Sequence, residues 1–232
     1  MIALQAGDAM IWRERELMTW QDLVDQSHEL AVTLMNCVAH PPYNDSERIR
    51  LSDVLCSLSF EHAHAARILV AAGFLPSALT VHRTQFETIL RSMWVFFAAN
   101  DNQLAKLGAN LTVETEKAAS GVPLAAQMMA ELSKKAPPNA FKPLNDFKTN
   151  GWPALNSYVH AGIHPIRRHQ DGYPSALLEG VIKNVNALTG LSAMHAAVLT
   201  GIPNLQQEVL AIAARYPSCL TYPEEPQQSP RS

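Results

Sequence analysis

Residues 76–99, PSALTVHRTQFETILRSMWVFFAA, constrain the fold more than any other stretch. At about 100° per residue, Phe86, Leu90, Met93 and Phe97 stack on one side, with Leu79 and Ile89 beside them. Ala78, Val81, Val95 and Phe96 cover other sides. A helix that is apolar around most of its circumference is a buried one, so other helices must surround it. Arg83, Glu87 and Arg91 interrupt this surface at i, i+4 and i+8 and share one narrow strip. Long charged side chains are seldom buried without partners, so the strip must face a polar cleft, a partner helix or water.

The flanking chain supplies the partners. Thr19 with Asp22 three residues on forms a helix start, and Leu23, Leu30, Leu34 and Val38 follow at helical spacing until His40-Pro41-Pro42. Asp45 or Ser46 opens a second long helix through Leu51, Leu55, Leu58, Ile68 and Leu69, with Gly73 as its stop. The short link from Gly73 to Pro76 makes it an antiparallel neighbour of the central helix. Residues 100–135 read as short helical pieces broken at Gly121 and Pro123. The prolines and glycine at 137, 138, 143, 151 and 153 make residues 136–153 a loop with one short helix. A long helix over 175–200 and a short one over 205–215 complete the set.

No alternating strand pattern and no internal repeat occurs. The expected fold is all-α, a bundle with a four-helix core and short accessory helices. The expected layout is an N-terminal extension at 1–18, one helical domain at 19–215 and a disordered Pro-, Gln- and Ser-rich tail at 216–232.

With 47% hydrophobic and 17% charged residues in 232, the chain can bury a sizeable core. A net charge of -3 argues against a nucleic-acid binder that works through its whole surface, but allows a local basic pocket. Cys37, Cys56 and Cys219 show no paired spacing, which fits a reducing compartment. No basic start precedes an apolar run, and no run of about 18 apolar residues exists. These features predict a cytoplasmic protein of bacterial type with no membrane partner.

One segment carries chemistry. Residues 147–170, FKTNGWPALNSYVHAGIHPIRRHQ, hold Lys148, Arg167, Arg168 and three histidines but no acid. Such a patch suits phosphate or another anion. Pro153 is placed to open a short helix on which Asn156 and His160, at i and i+4, project together. His160 can exchange a proton near neutral pH, Asn156 can orient its ring, and Arg168 can hold an oxyanion through two hydrogen bonds. His164 and Arg167, with Arg83, Glu87 and Arg91 from the central helix, are the candidate binding residues. The bland readings are a structural His160, a solvated Arg167-Arg168 pair and an internal ion-pair ladder on the central helix.

Glu61 and His64 form an E-x-x-H, the spacing used in di-iron bundles, and Glu87 and His82 could add ligands. A second E-x-x-H is missing, so a metal-dependent bundle is the weaker alternative, and no metal or cofactor is expected. No Gly-rich phosphate loop, GxSxG elbow or HExxH occurs.

The R-x-x-x-E-x-x-x-R helix followed by N-S-Y-V-H-A-G-x-x-x-I-R-R resembles a set of uncharacterised bacterial families of unknown function. Those families are similar to the HEPN superfamily. The resemblance spans about residues 20–200. It implies a bundle of four to five helices that forms a homodimer and binds a nucleotide or RNA. Active HEPN members cleave RNA without metal, often as toxins or in phage defence, through an Arg, a polar residue and a His a few positions on. Asn156 to His160 match the polar-then-His half, whereas the expected arginine position holds Leu155. The resemblance then implies His160 as general acid or base at a ribose 2′-hydroxyl, with Arg83, Arg91 or Arg168 at the phosphorus charge. The competing expectation is a non-catalytic helical interaction protein whose charged strip is structural.

Overall fold

A computed structural model describes residues 19–119 and 121–220. The extension expected at 1–18 and the tail from 221 onward lie outside the described residues. Helix α1 (Trp20–Cys37) opens with a reciprocal cap. Thr19 Oγ1 accepts from the Asp22 amide and Asp22 Oδ2 accepts from the Thr19 amide, so two otherwise orphaned donors are satisfied. Helix α2 (Glu47–Ala71) ends at Gly73, whose φ of 83° is open to glycine at no steric cost, and α3 (Leu75–Phe97) follows at once. Then come α4 (Asp101–Gly108), α5 (Val113–Ala119), α6 (Ala125–Lys135), α7 (Pro138–Val159), α8 (Ile163–Asp171), α9 (Ser175–Thr200) and α10 (Leu205–Ala214). A short 3-10 turn at Pro217–Cys219 closes the described chain.

The fold is an all-α bundle with α3 at its centre. Phe86, Ile89, Leu90, Met93, Trp94 and Val95 on α3 are almost wholly buried. Helix α2 lies along α3 as the other arm of a hairpin, and α9 packs on both. Helix α1 packs on α9 and scarcely touches α2, while α6 and α7 cover the remaining side of α3. Two cations close the C-terminal end of α3, where unpaired carbonyls carry partial negative charge. Arg48 Nη1 donates to the Val95 carbonyl at 2.6 Å and Lys135 Nζ to that of Ala98 at 2.7 Å.

A polar seam runs through the contact of α2, α3 and α9. Ser52 Oγ donates to the Ser92 carbonyl and Ser92 Oγ to the Ser52 carbonyl, and Ser59 and Ser192 meet at 2.9 Å. His195 Nε2 lies 3.0 Å from Ser52 Oγ, and Gln85 Nε2 donates to the Val185 carbonyl. Small side chains let the backbones approach, and each buried hydroxyl finds an acceptor. Burial pushes the Cys56 thiol up, so it is a packed, inert group rather than a nucleophile.

Two expectations need correction. Residues 138–159 form one helix of 22 residues, with Pro143 and Pro153 inside it, rather than a loop and a short helix. Leu144 and Leu155 are buried, and Phe141, Phe147, Trp152 and Tyr158 pack against the core. Burial of that stripe outweighs the hydrogen bonds that the prolines forfeit. Residues 216–220, placed in the expected tail, include the 3-10 turn and pack on the bundle. Asn186 Nδ2 donates to the Cys219 carbonyl at 3.0 Å and to Ser27 Oγ at 2.7 Å, pinning the last turn to α1 and α9.

Candidate functional site

The charged strip of α3 meets α7. Arg83 Nη1 donates to Asn156 Oδ1, and Nη2 donates to Glu87 Oε1 at 2.9 Å. The guanidinium carbon lies 4.1 Å from the centre of the Trp152 ring, a cation–π contact. Phe86 stacks on Phe147 at 4.8 Å and meets Trp152 at 5.5 Å. Arg83 is therefore a clamp that joins α3 to α7, with its charge answered by Glu87. Arg91, half-buried, has an Nε without a hydrogen-bond partner among the described residues and takes no part in that clamp.

Asn156 lies three residues from the end of α7, and the chain turns sharply just beyond it. Gly162 N–H donates to the Ser157 carbonyl at 2.7 Å, and Ser157 Oγ accepts the His164 amide at 3.1 Å. The Ser157 hydroxyl thereby caps α8, whose first amides would otherwise lack partners. A side chain on residue 162 would start only 2.5 Å from Ser157 Oγ, so it would displace the hydroxyl that accepts the His164 amide. Much of the N-S-Y-V-H-A-G segment is thus the chemistry of one elbow between α7 and α8. Gly162 is the N-cap of α8 and Pro165 stands in its first turn, and Arg167 and Arg168 lie on α8.

His160 is the cap residue after α7 and points its chemistry outward, since it is exposed while its amide donates to the Asn156 carbonyl. His164, Arg167 and His169 are exposed on α8. Arg168 is half-buried and near enough to Tyr158 to favour its phenolate, although burial and Tyr173 win and hold that phenol above its ordinary range. The Tyr158 and His164 rings lie 6.3 Å apart, and the Tyr173 hydroxyl is buried without a partner among the described residues. The structure therefore forms two neighbouring groups. Arg83, Glu87 and Asn156 are joined in the clamp, and His164 and Arg168 gather around Tyr158.

The four residues of the metal alternative separate. His82 is buried against Gln85 and the Phe147 ring, and burial holds it neutral with a pKa of about 4. His64 instead lies beside His28, with ring centres 6.2 Å apart. Among the described residues, no three His, Cys, Asp or Glu side chains gather in a way that could hold a metal ion. No helix among the described residues is long and apolar enough to cross a membrane.

Sequence reasoning missed Trp152, the stacking face under Arg83. Its signal was the spacing of aromatic residues at 141, 147, 152 and 158, hidden among prolines. It also missed Arg67, which is 6% exposed on α2 and forms no ion pair among the described residues. The visible signal was an arginine with alanine, histidine, valine and alanine at 63, 64, 70 and 71, and therefore no acid one turn away.

No curated protein and no solved structure matches the chain. A family model does match over residues 56–222, a span that runs from the middle of α2 through the clamp, the elbow and α9. The chain belongs to that family, DUF6988, a family of unknown function.

Proposed function

We propose that the chain is a HEPN-like protein that binds single-stranded RNA or a nucleotide phosphate on the α7–α8 elbow. The single observation behind this reading is the placement of His160, His164, Arg167 and His169 as exposed groups on one elbow that has no acid from 147 to 170. Phosphate is drawn to such a patch even when the whole chain is slightly acidic. Arg83 positions the elbow through Asn156 and keeps its own charge on Glu87. In the cleaving form of this reading, His160 exchanges the proton of a ribose 2′-hydroxyl and Arg168 faces the charge that develops at phosphorus. The homodimer and the cytoplasmic setting belong to the same proposal.

The test is fluorescence anisotropy of a labelled single-stranded RNA with the full chain, alongside Arg167→Gln, and cleavage of that RNA with and without EDTA. Arg167→Gln is expected to weaken binding several-fold and to lower the salt slope by about one. EDTA should leave any cleavage unchanged and His160→Ala should abolish it. RNA affinity unchanged by Arg167→Gln, or absent at low salt, would overturn the reading.

The second reading is a non-catalytic interaction protein. The closure of Arg83 on Glu87, Asn156 and Trp152 favours it, because its charge is already answered by a carboxylate and its plane is covered by an indole.

A further inference from the structure

The second buried arginine sits in a different environment. Helices α1 and α2 diverge over α9 and leave a groove of about 550 Å3 floored by Ala196. That volume lies within the range of small-molecule sites, about 300–1,000 Å3. Ala31, Val32, Met35 and Phe60 give the groove an apolar lining. Arg67 lines it where it meets a second hollow, and His28 and His64 line both beside it. Arg67 is 94% buried, yet its one hydrogen bond among the described residues runs from Nη1 to Thr189 Oγ1 at 3.3 Å. Its Nε is buried without a partner among the described residues. Asp25, Asp53 and Glu61 line these hollows, and none of them pairs with it. Asp53 is 14 residues away along α2, roughly 21 Å, at the far end of the groove.

We infer that this groove binds a small organic carboxylate with an apolar body, its head held by Arg67 between His28 and His64. An unanswered buried charge is costly, so a site that keeps one is suited to a ligand that supplies the opposite sign. Burial lowers the guanidinium pKa only to about 10, so it stays charged at neutral pH. A planar guanidinium edge pairs with a carboxylate through two parallel hydrogen bonds. The apolar walls take the hydrocarbon, which separates this ligand from inorganic phosphate. This site is independent of the α7–α8 elbow.

The test is calorimetric titration of the full chain with octanoate, octan-1-ol and inorganic phosphate, repeated on Arg67→Met and on Val32→Trp. Val32, a half-exposed wall residue, blocks the groove without touching the charge when enlarged. Octanoate is expected to bind saturably, with octan-1-ol and phosphate weaker by about tenfold or more, the worth of a lost charge-assisted bidentate contact. Arg67→Met should remain folded and lose octanoate affinity by a similar factor, and Val32→Trp should weaken it several-fold. Octanol binding as well as octanoate, or octanoate affinity unchanged in either variant, would overturn the inference. So would a concentration-dependent dimer that Val32→Trp abolishes, which would assign the groove to a second copy of the chain.

Discussion

Arg67 and Arg83 stand on the two arms of one helical hairpin, both largely shielded from water, and their surroundings differ in kind. Arg83 has a carboxylate at 2.9 Å, an amide oxygen across the helix interface and an indole face beneath it. Arg67 is more deeply buried and has a single threonine hydroxyl among the described residues. His82 and His195 show a third arrangement, in which a buried base gives up its charge, with pKa values held by burial at about 4 and about 3. Depth therefore does not indicate role. The partners differ: Arg83 fastens two helices, the discharged histidines fill the core, and Arg67, without an ion pair among the described residues, lines a groove.

The largest effect should come from forcing charge onto the discharged pair. Unfolded, both histidines take a proton below about pH 6.5, whereas folded they resist until about 4 and about 3. Their contribution is complete above about pH 6.5 and falls by roughly 1.4 kcal/mol per pH unit per histidine as the pH drops toward 4. Urea unfolding at pH 6.5 and 4.5 should differ by about 5 kcal/mol from this source. The double variant His82→Gln, His195→Asn should flatten the profile over that window. A profile equally steep in the variant would show that these histidines are already charged in the fold.

Next in size is the clamp. Arg83→Met should cost about 2 kcal/mol, below the 3–5 kcal/mol typical of fully buried pairs because Glu87 reaches water. For a chain of this size, that is a fall of several degrees in Tm. The smallest effect carries the opposite sign. Arg67→Met in the absence of ligand should raise stability by about 1 kcal/mol, since it removes an unanswered charge and keeps the volume. A loss as large as that of Arg83→Met would mean that Arg67 is held by more than one hydroxyl.

Where periodicity and capping coincide, the fold was legible in the sequence. The Thr19-Asp22 cap, the Gly73 turn and the apolar circumference of α3 each placed an element within two or three residues. Helix α7 was not legible, because Pro143 and Pro153 carry a strong local signal for a break. The burial that overrides it comes chiefly from α3, about 40 residues or more earlier in the chain. The serine seam was equally hidden, since Ser52, Ser59, Ser92 and Ser192 read as ordinary helix surface until three helices meet. At the candidate site, the i, i+4 pairing of Arg83 with Glu87 was legible, but its closure by Asn156 was not. His160 and Asn156 were expected to project together from one helix. The helix ends between them, so Asn156 turns inward to Arg83 and His160 caps the end.

The most direct test of the claim that Arg83 fastens the elbow while exposed Arg167 of α8 holds the ligand is a paired measurement. Melting temperature and RNA affinity are measured on Arg83→Met and Arg167→Gln at a temperature where both are folded. The account predicts a lower Tm with nearly unchanged RNA affinity for Arg83→Met, and an unchanged Tm with weakened RNA affinity for Arg167→Gln. The reverse pattern, an Arg83 variant that melts normally and no longer binds RNA, would contradict it.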